Sequence, residues 1–231
     1  MALLLAEELV LLCMDDETGQ CELAPREASR GVALALVFEL SLRGALTLQN
    51  DRLTQQQAGT DDPLLDLAAE SARNLTPTAA VDALAAEDLL QATLVRLVSR
   101  GALHDADVFS PGVHLPKDPH PETAVRQRLR EVLAQGRGAD EQEAALVALL
   151  HHLEMATAVL PDEDAEVVRA RAAEVSSRSG PMRDYQGEDG RPRVAPVHRS
   201  KNSDLRMTRS SWWDGLDVLD LVANGVRIFL P

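Results

Sequence analysis

The chain has 231 residues and a mass of 25.0 kDa, enough to bury a hydrophobic core without disulfide or metal staples. It carries 23 Lys and Arg against 37 Asp and Glu, a formal charge of -14, which opposes diffuse attraction to nucleic acid or to an anionic bilayer, so an anionic partner has to meet a local basic patch. Aromatic residues make up 3% against 45% hydrophobic residues, and a core drawn from Ala, Leu and Val favours helices over an all-β sandwich.

From Leu3 to Met14 the apolar residues recur around Glu7-Glu8, and Asp15 to Gly19 supplies turn chemistry, which predicts a short helix and a turn. Pro25 suits the start of a second helix, whose run Val32 to Leu42 is apolar almost all round and so is expected at the centre of the fold. Arg43-Gly44 marks its end, a cation in the last turn followed by a glycine able to take the left-handed cap. Leu46, Leu48, Asn50-Asp51 and Leu53 read as a small hairpin. Asp61-Asp62-Pro63 caps a helix over Leu64 to Ala72, and Thr76-Pro77-Thr78 opens one over Ala79 to Ala85. A further helix runs from Asp88 to Ser99 and closes on Arg100-Gly101-Ala102-Leu103, the ending already met at Arg43-Gly44-Ala45-Leu46. Both endings read as helix-to-strand exits.

Four prolines between Asp105 and Pro121 make that stretch a loop or irregular hairpin. Helix resumes from Glu122 to Gln135, breaks at Gly136-Arg137-Gly138, and returns from Asp140 to Leu160, with a last helix over Asp162 to Val175. Residues 1–177 carry 14 basic and 30 acidic side chains, whereas residues 178–231 carry 9 and 7. The chain is therefore divided into a folded domain over 1–176, a polar basic linker read as disordered over 177–210, and a short amphipathic segment over 211–231. In that last segment Trp212-Trp213 and the following apolar residues either dock on anionic lipid behind the basic stretch Arg191 to Arg209, or pack on protein; Asp214, Asp217 and Asp220 favour protein. The opening run Met1 to Ala6 lacks a basic flank and stops at Glu7-Glu8, so it is not a signal peptide, and no apolar stretch reaches membrane-span length. A cytoplasmic protein, at most peripheral at the cytosolic membrane face, is expected.

Few groups invite chemistry. Glu7-Glu8 and Asp15-Asp16 could be acid–base carboxylates, but adjacent helix residues diverge by about 100° and no nucleophile accompanies them; they read as an exposed helix face and a turn. His151-His152 with Glu154 reads as a helix-surface pair rather than a metal site. Cys13 reads as a small buried hydrophobe, and with only Cys21 beside it the chain has no disulfide framework, which fits a reducing compartment. Gly136-Arg137-Gly138 lacks the surroundings of a phosphate loop. No cofactor, no metal and no enzymatic activity is expected.

The blocks Leu-Ala-Glu7-Glu8-Leu-Val-Leu-Leu, Asp-Glu-Thr-Gly19 and Phe38-Glu39-Leu40-Ser41-Leu42-Arg43-Gly44, followed by Leu97 to Leu103, Arg126-Gln-Arg-Leu and Ala144 to Leu150, resemble in order and spacing the Golgi phosphoprotein 3 family over roughly residues 3 to 175. The resemblance implies an all-α single domain, a central helical bundle with short β-hairpins, that binds phosphatidylinositol 4-phosphate at a cytosolic membrane face and links cargo to trafficking machinery. It also implies a pocket of one Trp and three Arg, at positions that here hold Ala24, Ala33, Glu87 and Leu90. None matches, and a phosphate monoester needs charge-assisted hydrogen bonds that these groups do not offer. Arg30 and Arg26, one and two turns before Ala33, are the candidate lipid-binding residues. The family's exposed oligomerisation hairpin corresponds to Asp105 to Pro116, with Val108, Phe109, Val113 and Leu115 as contacts. Two functional readings follow: a peripheral adaptor with phosphoinositide binding, or a soluble protein-interaction scaffold that has lost it. Expected partners are an anionic phospholipid headgroup, a protein and a second copy of the chain, with no nucleic acid. Few Lys beside many Arg and Ala suggests a bacterial source.

Overall fold

The computed structural model describes residues 2–56, 59–107 and 110–185; the expectations for Val108, Phe109, the remainder of the linker and the segment over 211–231 lie outside them. The protein is mostly helical, with one two-stranded sheet among the described residues. Helix α1 (Leu5–Cys13) is followed by α2 (Pro25–Leu42), strands β1 (Leu46–Gln49) and β2 (Arg52–Gln55), and helices α3 (Pro63–Ala72), α4 (Pro77–Ala86) and α5 (Leu89–Ser99). After the proline-containing loop come α6 (His120–Leu133), α7 (Glu141–His152), α8 (Ala165–Arg178) and α9 (Gly180–Tyr185).

Local chemistry accounts for most boundaries. Pro25, Pro63 and Pro77 each occupy the first position of a helix, where the missing N–H would have no partner anyway. The carboxylates of Asp62, Asp140 and Asp164 and the hydroxyl of Thr76 accept from first-turn amides that have no partner within the helix, each cap contributing about 1 kcal/mol. The hairpin pairs Leu46 with Gln55 and Leu48 with Leu53, and both turn residues, Asn50 at φ 49° and Asp51 at φ 62°, are left-handed, the geometry that lets a two-residue turn follow strand twist.

Helix α2 is the axis. Its residues from Gly31 to Leu40 are all buried, and it packs against α1, α3, α4, α5, α7 and α9. Gly31 permits a close approach: a Cβ there would lie 3.2 Å from Leu9 Cδ2 and 3.3 Å from Leu153 Cδ1. Phe38 is fully buried in a core of Leu, Val and Ala side chains, each large one adding about 1.5–3 kcal/mol on leaving water.

Both Arg-Gly-Ala-Leu endings close in the same way. Gly44 N–H donates to Ser41 O and Ala45 N–H to Leu40 O; Gly101 N–H donates to Val98 O and Ala102 N–H to Leu97 O, with both glycines at positive φ. Only the first leads into a strand of the sheet. The second reaches an isolated bridge between Leu103 and Pro116. The helix expected to continue from Asp140 to Leu160 stops at His152, because Glu154 takes φ 57° and the amides of Glu154 and Met155 turn back to His151 O and Leu150 O. This is the same cap built on a glutamate. At the other end, α8 runs through Ser176 to Arg178, and α9 packs on α2, α7 and α8 with Met182 buried.

Candidate functional site

The positions implied for ligand binding stand on helices that pack together. Ala24 is the N-cap of α2 and Ala33 lies fully buried on the same helix; Glu87 caps the end of α4, and Leu90 sits in the first turn of α5. Helix α2 packs against both α4 and α5. Arg26 and Arg30 lie on α2 one turn apart, with different surroundings. The Arg26 side chain is exposed, and among the described residues no hydrogen bond or ion pair holds it. Arg30 is half-buried and its guanidinium is ion-paired to the Asp82 carboxylate of α4. Beside it the end of α7 brings His152, whose Nε2 has no hydrogen-bond partner among the described residues. Burial, then the neighbouring His151 and Arg30, hold His152 below the usual histidine range, so it is neutral at physiological pH. The two histidines are half-buried, which corrects the expectation of a surface pair: α7 ends against α2, and its last turn is partly covered.

Glu7 and Glu8 also depart from expectation. They are 0% and 3% exposed, not an outer helix face. The reason is a set of partners far away in sequence. Glu7 Oε2 accepts the Leu4 N–H at 2.8 Å, and its Oε1 faces Arg96 Nε at 3.3 Å and Arg100 Nε at 3.0 Å. Arg96 in turn donates two 2.9 Å bonds to Asp62, the cap of α3. Glu8 pairs with Arg128 of α6. Glu39 accepts the Leu5 N–H at 2.9 Å and pairs with Arg43 at 2.7 Å. Burial raises the Glu8 carboxyl above its usual range, with Glu39 and Asp140 adding to burial and Arg128 opposing it; its Oε2 has no partner among the described residues. Apart from Glu8 Oε2, the oxygens of these three carboxylates are engaged by arginines and backbone amides.

Of the remaining expectations, Cys13 is buried as expected. In the loop implied for oligomerisation, Val113 is half-buried and Leu115 is 43% exposed. Among the described residues no three His, Cys, Asp or Glu side chains are grouped to hold a metal ion, and no helix is long and apolar enough to cross a membrane. No sequence signal identified Asp82 as the partner of Arg30, since the two lie 52 residues apart.

Among the described residues the protein is a helical domain wound on the buried helix α2, with one two-stranded hairpin and acidic side chains of α1 and α2 drawn inside against arginines. The sequence model of the Golgi phosphoprotein 3 (GPP34) family matches residues 5–195. The chain belongs to that family. No curated protein shows significant similarity to it.

Proposed function

We propose that this chain is a non-enzymatic adaptor-like member of its family that works through protein contacts, without the phosphoinositide pocket. The observation that carries this reading is the state of Arg30: this half-buried cation, one turn before Ala33 on α2, is already paired to Asp82. A phosphate monoester would have to displace that carboxylate and would meet Glu87 and the buried Ala33 in place of donors.

One observation favours a second reading, attachment to an anionic phospholipid headgroup at a membrane surface. Arg26 is exposed and unclaimed among the described residues, and a cation near an anionic surface contributes about 1 kcal/mol. That is too little for stable attachment on its own.

Co-sedimentation of the full chain with vesicles containing phosphatidylinositol 4-phosphate, another anionic lipid, or neutral lipid alone tests the choice. The expected result is no headgroup-selective sedimentation. Selective binding to the phosphatidylinositol 4-phosphate vesicles, abolished in an Arg26→Ala/Arg30→Ala double variant, would overturn the scaffold reading and establish a rebuilt lipid site.

A further inference from the structure

The two cysteines of the chain meet in the fold. Cys13 closes α1 and is buried, with its Sγ 3.5 Å from Met155 Sδ. The chain then turns back, and Met14 and Cys21 form an isolated antiparallel bridge, flanked by Glu22 N–H to Cys13 O at 2.7 Å and Asp15 N–H to Gln20 O at 2.8 Å. This pairing places Cys21 one residue off the position directly opposite Cys13. Cys13 is sealed in the core whereas Cys21 is half-buried, so a small reagent reaches only the second.

The intervening turn is built to hold this geometry. The Asp15 carboxylate accepts from the Thr18 N–H at 2.7 Å, the Thr18 hydroxyl at 2.8 Å and the Glu17 N–H at 3.1 Å. Gly19, at φ 65°, donates to Asp15 O at 2.8 Å and accepts from the His114 N–H at 2.7 Å. A Cβ on Gly19 would stand 2.9 Å from Leu115 N, so the turn is also clamped from outside.

We propose that Cys13 and Cys21 form a reversible thiol–disulfide couple, a redox-modification site whose oxidant is a small disulfide of the glutathione class. Cys21 is the entry thiol. The neighbouring Cys13 thiol, helped by the Leu23 N–H, makes it more acidic than an ordinary cysteine against the opposing effects of burial and Glu22, and the thiolate is the attacking form. The neighbouring Cys21 thiol, with burial and Glu22, pushes Cys13 the other way, Arg126 opposing. Cys21 thiolate attacks one sulfur of oxidised glutathione, forming a mixed disulfide and expelling a glutathione thiolate. Cys13 then gives its proton to that thiolate or to water and attacks Cys21 Sγ, forming the Cys13–Cys21 bond and releasing the second glutathione. Two electrons pass from the protein dithiol to the glutathione disulfide, and reduced glutathione in excess reverses both steps.

The test incubates the full-length protein in glutathione mixtures of rising oxidised fraction, traps free thiols by alkylation, and reads the intact mass and the peptide map. The expected result is the joint disappearance of both thiols, a loss of two hydrogens per chain, and a peptide pair linked through Cys13 and Cys21. The oxidised form should melt roughly 5 °C above the reduced one, since the new bond closes a short loop in the unfolded chain. Cys21→Ser should leave Cys13 unmodified, and Cys13→Ala should stop at a lasting glutathione adduct on Cys21. A lasting adduct on Cys21 of the parent protein would overturn the proposal. So would a disulfide joining two chains, or two free thiols in the fully oxidised mixture; none of these readings depends on either variant folding.

Discussion

The first turns of α1 and α2 treat charge in opposite ways. In α1, Glu7 and Glu8 are drawn into the core, and arginines from α5 and α6 come to them. In α2, Arg26 stays exposed and Arg30 meets Asp82 at the half-open edge of α4, where the carboxylate is 54% exposed. A buried charge without a partner costs several kcal/mol, whereas an exposed pair contributes about 0–1 kcal/mol. The arginines gathered around the first turn of α1 are thus structural fasteners. Those of α2 are energetically light, and of the two groups it is Arg26 that no partner holds among the described residues.

The contrast can be broken most readily at Glu7. Glu7→Ala should destabilise the protein by about 3 kcal/mol, measured by urea unfolding, because it orphans the Leu4 amide and strips Arg96 and Arg100 of a buried partner. A loss below about 1 kcal/mol would place Glu7 with the surface pairs. Glu8 sharpens the same point through pH. Its carboxyl titrates above the ordinary 4.5 in the folded state, so its charge penalises folding at neutral pH, and that penalty fades as pH falls through the folded value toward 4.5. The unfolding midpoint of Glu8→Gln should therefore gain on that of the parent as pH rises from about 4.5 to neutrality; a gap that narrows in the parent's favour would show that Arg128 outweighs burial. The smallest effects belong to α2. Arg30→Ala should cost at most about 1 kcal/mol and Arg26→Ala less than about 0.5 kcal/mol. A thermal melt that drops for Arg26→Ala as far as for Glu7→Ala would erase the distinction.

What could be read from sequence follows the range of the interaction. Helix ends made by glycine were legible at Gly44 and Gly101, because only glycine enters the left-handed region without strain. The end of α7 was not, because the same cap falls on Glu154, and nothing local announces that Met155 will be buried instead of helical. Asn50-Asp51 gave away the hairpin through its own conformational preference. Burial of Glu7 and Glu8 was hidden, since an acidic pair in an amphipathic run looks solvated until Arg96, Arg100 and Arg128 are seen around it. The candidate site shows the same division. Arg26 and Arg30 were correctly placed on a helix by local pattern, but Asp82, which decides how available Arg30 is, belongs to another helix.

The reach of those α1 contacts bears on the order in which the chain can assemble. Glu7 waits for Arg96, 89 residues away, and Glu8 for Arg128, 120 residues away. During synthesis α1 leaves the ribosome before α5 and α6, so its acids are not neutralised in the core until α6 has followed. Helix α1 is therefore made long before it is locked, and a chain cut short before Arg128 leaves Glu8 of α1 without its partner and that helix more open to proteolysis.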